Sequence, residues 1–68
     1  MRLKELRRQK GISQVKLALD LNTNQNTISR YETGEREPGL KELAKIADYF
    51  DVSIDYLLYR TDNPKINY

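Results

Sequence analysis

The sequence predicts an all-α fold, a compact five-helix domain, and three observations carry that expectation. Apolar residues recur at spacings of three and four, and nowhere do they alternate with the period of two that a strand requires. Ser13, Ser53 and the Thr23 and Asn24 pair each stand before such a run, where a side-chain oxygen can cap a helix; Gly11, Asn22 and Gly34 each follow one. The chain has 68 residues, enough for one domain with a small core. A chain of that size buries only about 60% of the surface that it exposes when unfolded.

Taken in order, the first helix is expected over residues 2–10, with Leu3 and Leu6 on one face and Gly11 as its stop. Ile12 then enters the core. Ser13 caps the second helix, in which Leu17, Ala18 and Leu21 recur at helical spacing. Asn22 ends it, because Asn is among the few residues besides Gly that accept the left-handed backbone of a sharp helix exit. Thr23 or Asn24 caps the third helix, whose apolar content is thin, running through Ile28 and Tyr31 to a stop near Gly34. Pro38 and Gly39 open the fourth, where Leu40, Leu43, Ala44, Ile46, Ala47 and Phe50 form a broad apolar stripe. Val52 and the cap Ser53 lead into a fifth, with Ile54, Leu57 and Leu58 facing inward. From Thr61 onward TDNPKINY reads as a tail, since Pro64 and two Asn residues oppose another helical turn. The expected organisation is one domain over residues 1–60 and a tail over residues 61–68.

Composition removes several classes of function. The sequence has no Cys and no His, which excludes a disulfide framework, the common zinc sites and thiol or imidazole catalysis. Asp48, Asp51 and Asp55 lie among core residues of the last two helices and read as a solvated acidic flank. No catalytic constellation is present, so the chain is not expected to be an enzyme, and no cofactor, metal or small-molecule ligand is expected. No apolar run approaches the roughly 18 residues of a membrane span, and the basic start MRLKELRRQKG lacks the apolar stretch of a signal peptide. A soluble cytoplasmic protein without a membrane partner is expected. The net charge of +2 conceals a polarity: residues 1–30 carry seven Lys or Arg against two acids, and residues 31–68 carry five against eight. Such asymmetry marks either a face that meets a polyanion or a solvated surface of mixed charge.

One stretch is unusual. Residues 22–35 read NTNQNTISRYETGE, with Asn22, Asn24, Gln25 and Asn26 placing four carboxamides within five positions. Asn is a poor helix former and carboxamides are costly to bury, so their cluster at a helix start points to a role outside the core. Only about two residues separate the second helix from the third, a turn that favours the helix-turn-helix crossing of about 90–120°. Ala18 is small enough for a close approach there, with Leu17, Leu21 and Ile28 filling the angle.

The segments SQVKLA at 13–18, TISRYETG at 27–34, Pro38, and LKELAKIADYFDVSIDYLL at 40–58 stand in an order and spacing that resembles the Cro and phage-repressor type, or XRE-like, helix-turn-helix domains. The resemblance covers about residues 3–58. It implies a lambda-repressor-like DNA-binding fold of bacterial or phage type and, usually, a homodimer. Two departures stand out. The turn position usually filled by Gly holds Asn22, and the usually polar positions 15 and 19 hold Val15 and Leu19. These two either pack half-buried on the first helix or form a contact patch.

The resemblance also assigns roles. Base reading maps onto Asn24, Gln25, Asn26 and Ser29, with Arg30 at a base edge or a phosphate; Asn24 has the alternative role of a plain cap. Gln or Asn can meet adenine N6 and N7 together, and Arg can meet guanine O6 and N7. Gln14 maps onto the usual phosphate clamp, Thr27 onto a thymine methyl or a phosphate, and Arg36 and Lys41, around the loop before the fourth helix, are the candidate phosphate contacts on the other side; such contacts set register without carrying sequence information. Arg7 and Glu32 map onto a structural ion pair. The expected partner is double-stranded operator DNA, with the protein on the nucleoid when bound. The expected function is transcriptional regulation, as a repressor, by a homodimer on an inverted repeat. A seam near Tyr56, Leu57, Tyr59, Ile66 and Tyr68 would join the two copies. The rival reading is an adaptor or antitoxin-like module that keeps the fold and binds protein. Exposed apolar or aromatic anchors would favour that rival, whereas Gln25, Asn26, Ser29 and Arg30 are all polar.

Overall fold

Side-chain caps set three of the five helix starts in the computed structural model, which describes residues 1–65. The helices are α1 (Leu3–Gln9), α2 (Gln14–Asp20), α3 (Gln25–Thr33), α4 (Leu40–Phe50) and α5 (Ile54–Leu57). Ser13, Asn24 and Ser53 each hold extended backbone and accept, through the side chain, the amide three residues on: Lys16, Thr27 and Tyr56 respectively. The exits are left-handed, as at Asn22 (φ 58°) and Gly34 (φ 83°). Two further left-handed residues, Asp51 (φ 55°) and Tyr59 (φ 62°), were not expected. Asp51 ends α4, and Tyr59 follows the short α5.

The core is drawn from every helix: Leu3 and Leu6 of α1, Leu17 and Ala18 of α2, Ile28 and Tyr31 of α3, Ile46 and Ala47 of α4, and Leu57 of α5, with Leu21 and Val52 between elements. Packing is most extensive between α2 and α3, where Ala18 is buried and lets the helices approach. The expected fold class is therefore the observed one. Two expectations for the core are corrected: Leu40 and Leu58 are exposed rather than inward-facing. Of the two alternatives left open for Val15 and Leu19, exposure agrees with an uncovered patch, clearly at Leu19 (72%) and less so at Val15 (48%).

Arg2 fastens the two ends of the described chain. Its backbone N–H donates to the Leu57 carbonyl, and its side chain donates to the carbonyls of Tyr56 and Thr61 and to Asp62. The guanidinium lies 4.2 Å from the Tyr56 ring centroid and 4.5 Å from that of Tyr59. Such cation–π contacts grow stronger as the charge is desolvated, and this side chain is mostly buried. Beyond α5, the Ser53 N–H donates to the Pro64 carbonyl, so residues 61–65 lie against the domain. Of the residues expected at a seam, Leu57 is fully enclosed in the core and is unavailable for one; Ile66 and Tyr68 lie outside the described residues.

Candidate nucleic-acid interface

The first turn of α3 projects its polar side chains outward because the opposite face is fixed. Thr27, Ile28 and Tyr31 are buried against the core, which leaves Gln25, Asn26 and Arg30 exposed and Ser29 half-buried. Asn24 is the cap: its Oδ1 accepts the Thr27 N–H at 2.9 Å and the Thr27 hydroxyl at 3.1 Å. That oxygen is engaged in the helix start, which a base contact would leave to the amide nitrogen. Thr27 is likewise turned inward, with its hydroxyl spent on Asn24 rather than aimed at a phosphate.

A chain of side chains runs from α1 to this turn. Arg7 donates through Nε to Glu32 Oε2 at 2.7 Å and through Nη2 to Oε1 at 3.2 Å, and its Nη1 donates to the Ile12 carbonyl. Glu32 Oε1 also accepts from Gln14 Nε2 at 3.1 Å. Gln14 Oε1 in turn accepts from Gln25 Nε2, at a long 3.4 Å. The Arg7 and Glu32 pair expected from the sequence is thus present, and it extends to two residues that carry other expected roles. Burial alone would push the Glu32 carboxyl up. The hydrogen bonds from Arg7 and Gln14, with the Arg7 charge, outweigh burial and hold it below its ordinary value. Arg7 is shifted upward, chiefly by its hydrogen bond to Glu32.

The geometry has a chemical consequence. Gln25 keeps its oxygen and one N–H free of partners among the described residues, a donor and an acceptor side by side, while its other N–H faces Gln14. The Gln14 to Gln25 link was not foreseen. Its signal was present: both Ser13–Gln14 and Asn24–Gln25 place a Gln directly after a helix cap. Arg36 and Lys41 are exposed in and after the loop from α3 to α4, with the Arg36 guanidinium 6.0 Å from the Tyr31 ring centroid. Among the described residues no cluster of His, Cys, Asp and Glu is suited to a metal, and no helix is long and apolar enough to cross a membrane.

Two helices joined by a left-handed Asn turn, with a polar first turn exposed on the second, define a DNA-binding module of helix-turn-helix type. The sequence pattern of the helix-turn-helix family matches residues 3–57, and the chain belongs to that family, in its Cro and XRE-like branch. The chain is 41% identical over 64 residues, 94% of its length and 55% of the relative's, to a Bacillus subtilis helix-turn-helix-type transcriptional regulator, YqaE. It is 39% identical over 66 residues to the B. subtilis regulator ImmR, covering 97% of this chain and 52% of that protein. An Enterococcus faecalis transcriptional activator, BcrR, is 37% identical over 57 residues, 84% of this chain and 28% of BcrR. The chain thus spans about half the length of the first two relatives. No solved structure matches it.

Proposed function

We propose that the chain binds operator DNA sequence-specifically, inserting α3 into the major groove, and that it represses transcription as a homodimer on an inverted repeat. The observation that carries this reading is the exposed first turn of α3, where Gln25, Asn26 and Arg30 stand clear of a helix anchored by Ile28 and Tyr31. In this reading Gln25, Asn26, Ser29 and Arg30 face base edges, with the Asn24 amide nitrogen beside them. Gln14, Arg36 and Lys41 meet phosphates on either side. Thr27 supports the helix start from within. Two copies double a small footprint and raise affinity and specificity together, with half-sites about one helical turn apart. Tyr56 and Tyr59 remain the seam residues of this reading. Repression requires only occupation of the site. The exposed pair Val15 and Leu19 favours the second reading, a protein-binding module on the same fold.

Selection of bound sequences from a random duplex pool gives the site, its symmetry and its spacing at once; failure to enrich any sequence would remove the reading. On the selected site, Gln25→Ala is expected to cost about 1–3 kcal/mol and to relax preference at one base position. Arg36→Ala should instead weaken all sequences alike and lower the salt slope by about one. Unchanged discrimination and salt dependence in both variants would contradict the docking proposed. Sedimentation should show a dimer on operator DNA, and a monomer both free and bound would exclude the homodimer. A reporter gene placed behind the operator then gives the sign of regulation.

A further inference from the structure

We infer that Lys45 is a positioning residue for the reading helix, one that holds the turn between α2 and α3 from outside it; the inference rests on the DNA-reading role proposed for α3. The reason lies at the end of α2. The last carbonyls of a helix carry partial negative charge, which a Lys or Arg in the last turn ordinarily answers. The last turn of α2 has no basic residue, and places Asp20 there instead. Asp20 is occupied with other partners, accepting from Lys16 Nζ at 2.9 Å and from the Tyr49 hydroxyl at 2.6 Å. The missing cation arrives from α4: Lys45 Nζ donates to the Leu21 carbonyl at 3.0 Å, across 24 positions of sequence.

The place of this bond gives it leverage. A cleft of about 380 Å³ is lined by Asn22 and Thr23 of the turn and by Glu42 and Ile46 of α4, and Lys45 reaches along it to the turn. Ile46 and Ala47 beside Lys45 are buried, so the base of its side chain stands on a fixed platform. At the far end Leu21 caps α2, Asn22 follows with φ 58°, and the Thr23 N–H returns to the Ala18 carbonyl at 2.8 Å. The turn sets the direction in which α3 leaves α2, and hence where Gln25 and Asn26 stand. Recognition groups need placement to within about 0.5 Å, so an outside support of the turn acts on reading without touching DNA.

Lys45→Met and Lys45→Arg, each in the full chain, test this. In Lys45→Met the amides of Asn22 and Thr23 should exchange with solvent about 2- to 5-fold faster, the change expected from losing a cation at a helix C-terminus, while core amides such as Leu6 keep their rates. Affinity for the selected duplex should fall by a similar factor of about 2 to 5, with the salt slope unchanged. Lys45→Arg, which keeps a donor and a charge, should restore both. Unchanged exchange at Thr23 would overturn the inference, as would equal acceleration of every amide, which describes a general stabiliser. A salt slope lowered by about one would also overturn it, because Lys45 would then be a phosphate contact. If the wild-type chain prefers no duplex, the DNA-reading role fails, and Thr23 exchange still decides whether Lys45 holds the turn.

Discussion

Glu32→Ala is expected to destabilise the domain by about 3–5 kcal/mol, the cost of leaving a buried charge without its partner. The Glu32 side chain is only 3% exposed and that of Arg7 12%, so the Arg7 guanidinium would have little water to replace the lost carboxylate. A domain of 68 residues has only about 3–10 kcal/mol of stability in total, so this variant should be mostly unfolded or close to it. Urea denaturation is the measurement, and a loss below about 1 kcal/mol would show that the pair is solvated in practice. The double variant Arg7→Met with Glu32→Leu should recover much of the loss, because replacing both charges removes the uncompensated one. It should still bind DNA more weakly than the wild type, since Gln14 would lose the carboxylate that orients it. Acid should act on the same pair. The Glu32 carboxyl is held below its ordinary value of 4.5 in the folded chain, so its contribution is complete above that value. It is lost as pH falls through the folded value.

Ile28→Ala is expected to cost about 2–5 kcal/mol, with little change in the denaturant slope. Ile28 is fully buried on the inner face of α3, and its removal deletes methyl groups where that helix meets the core. The loss has a second effect, because Ile28 lies in the same helix as Gln25 and Asn26. Affinity for DNA should therefore drop even at temperatures where the variant remains folded. Ser29→Ala, one position further on and half-buried, should change stability by less than about 0.5 kcal/mol. An Ile28→Ala variant as stable as the wild type would mean that α3 is not anchored as described.

The helix starts were legible because capping is local: Ser13, Asn24 and Ser53 need only an amide three residues ahead. Asn22 was legible for the same reason, since its own backbone preference suffices for the turn. Leu40 and Leu58 were misassigned because periodicity gives the face of a helix and not the extent of what covers it. Tyr59 escaped notice because a bulky residue rarely takes left-handed backbone and does so only where neighbours hold it, whereas Asp51, a residue type that tolerates it, could have been read as the stop of α4. The exposed amides of the candidate site were readable from polarity and spacing. The bonds that restrain them were not: Gln25 with Gln14 spans 11 positions and Lys45 with Leu21 spans 24, separations that no local pattern encodes.

The clamp on Arg2 bears on the order in which the molecule is assembled in time. Its contacts with Tyr56, Thr61 and Asp62 span 54 to 60 positions. A ribosome adds about 5–20 residues per second, so the arginine waits about 3–12 s before its partners are even synthesised. Within that interval both α2 and α3 are made, and their contacts with each other are local. The α2–α3 pair thus needs no contact that Arg2 makes, and a side chain made before both helices is fastened only after both are made.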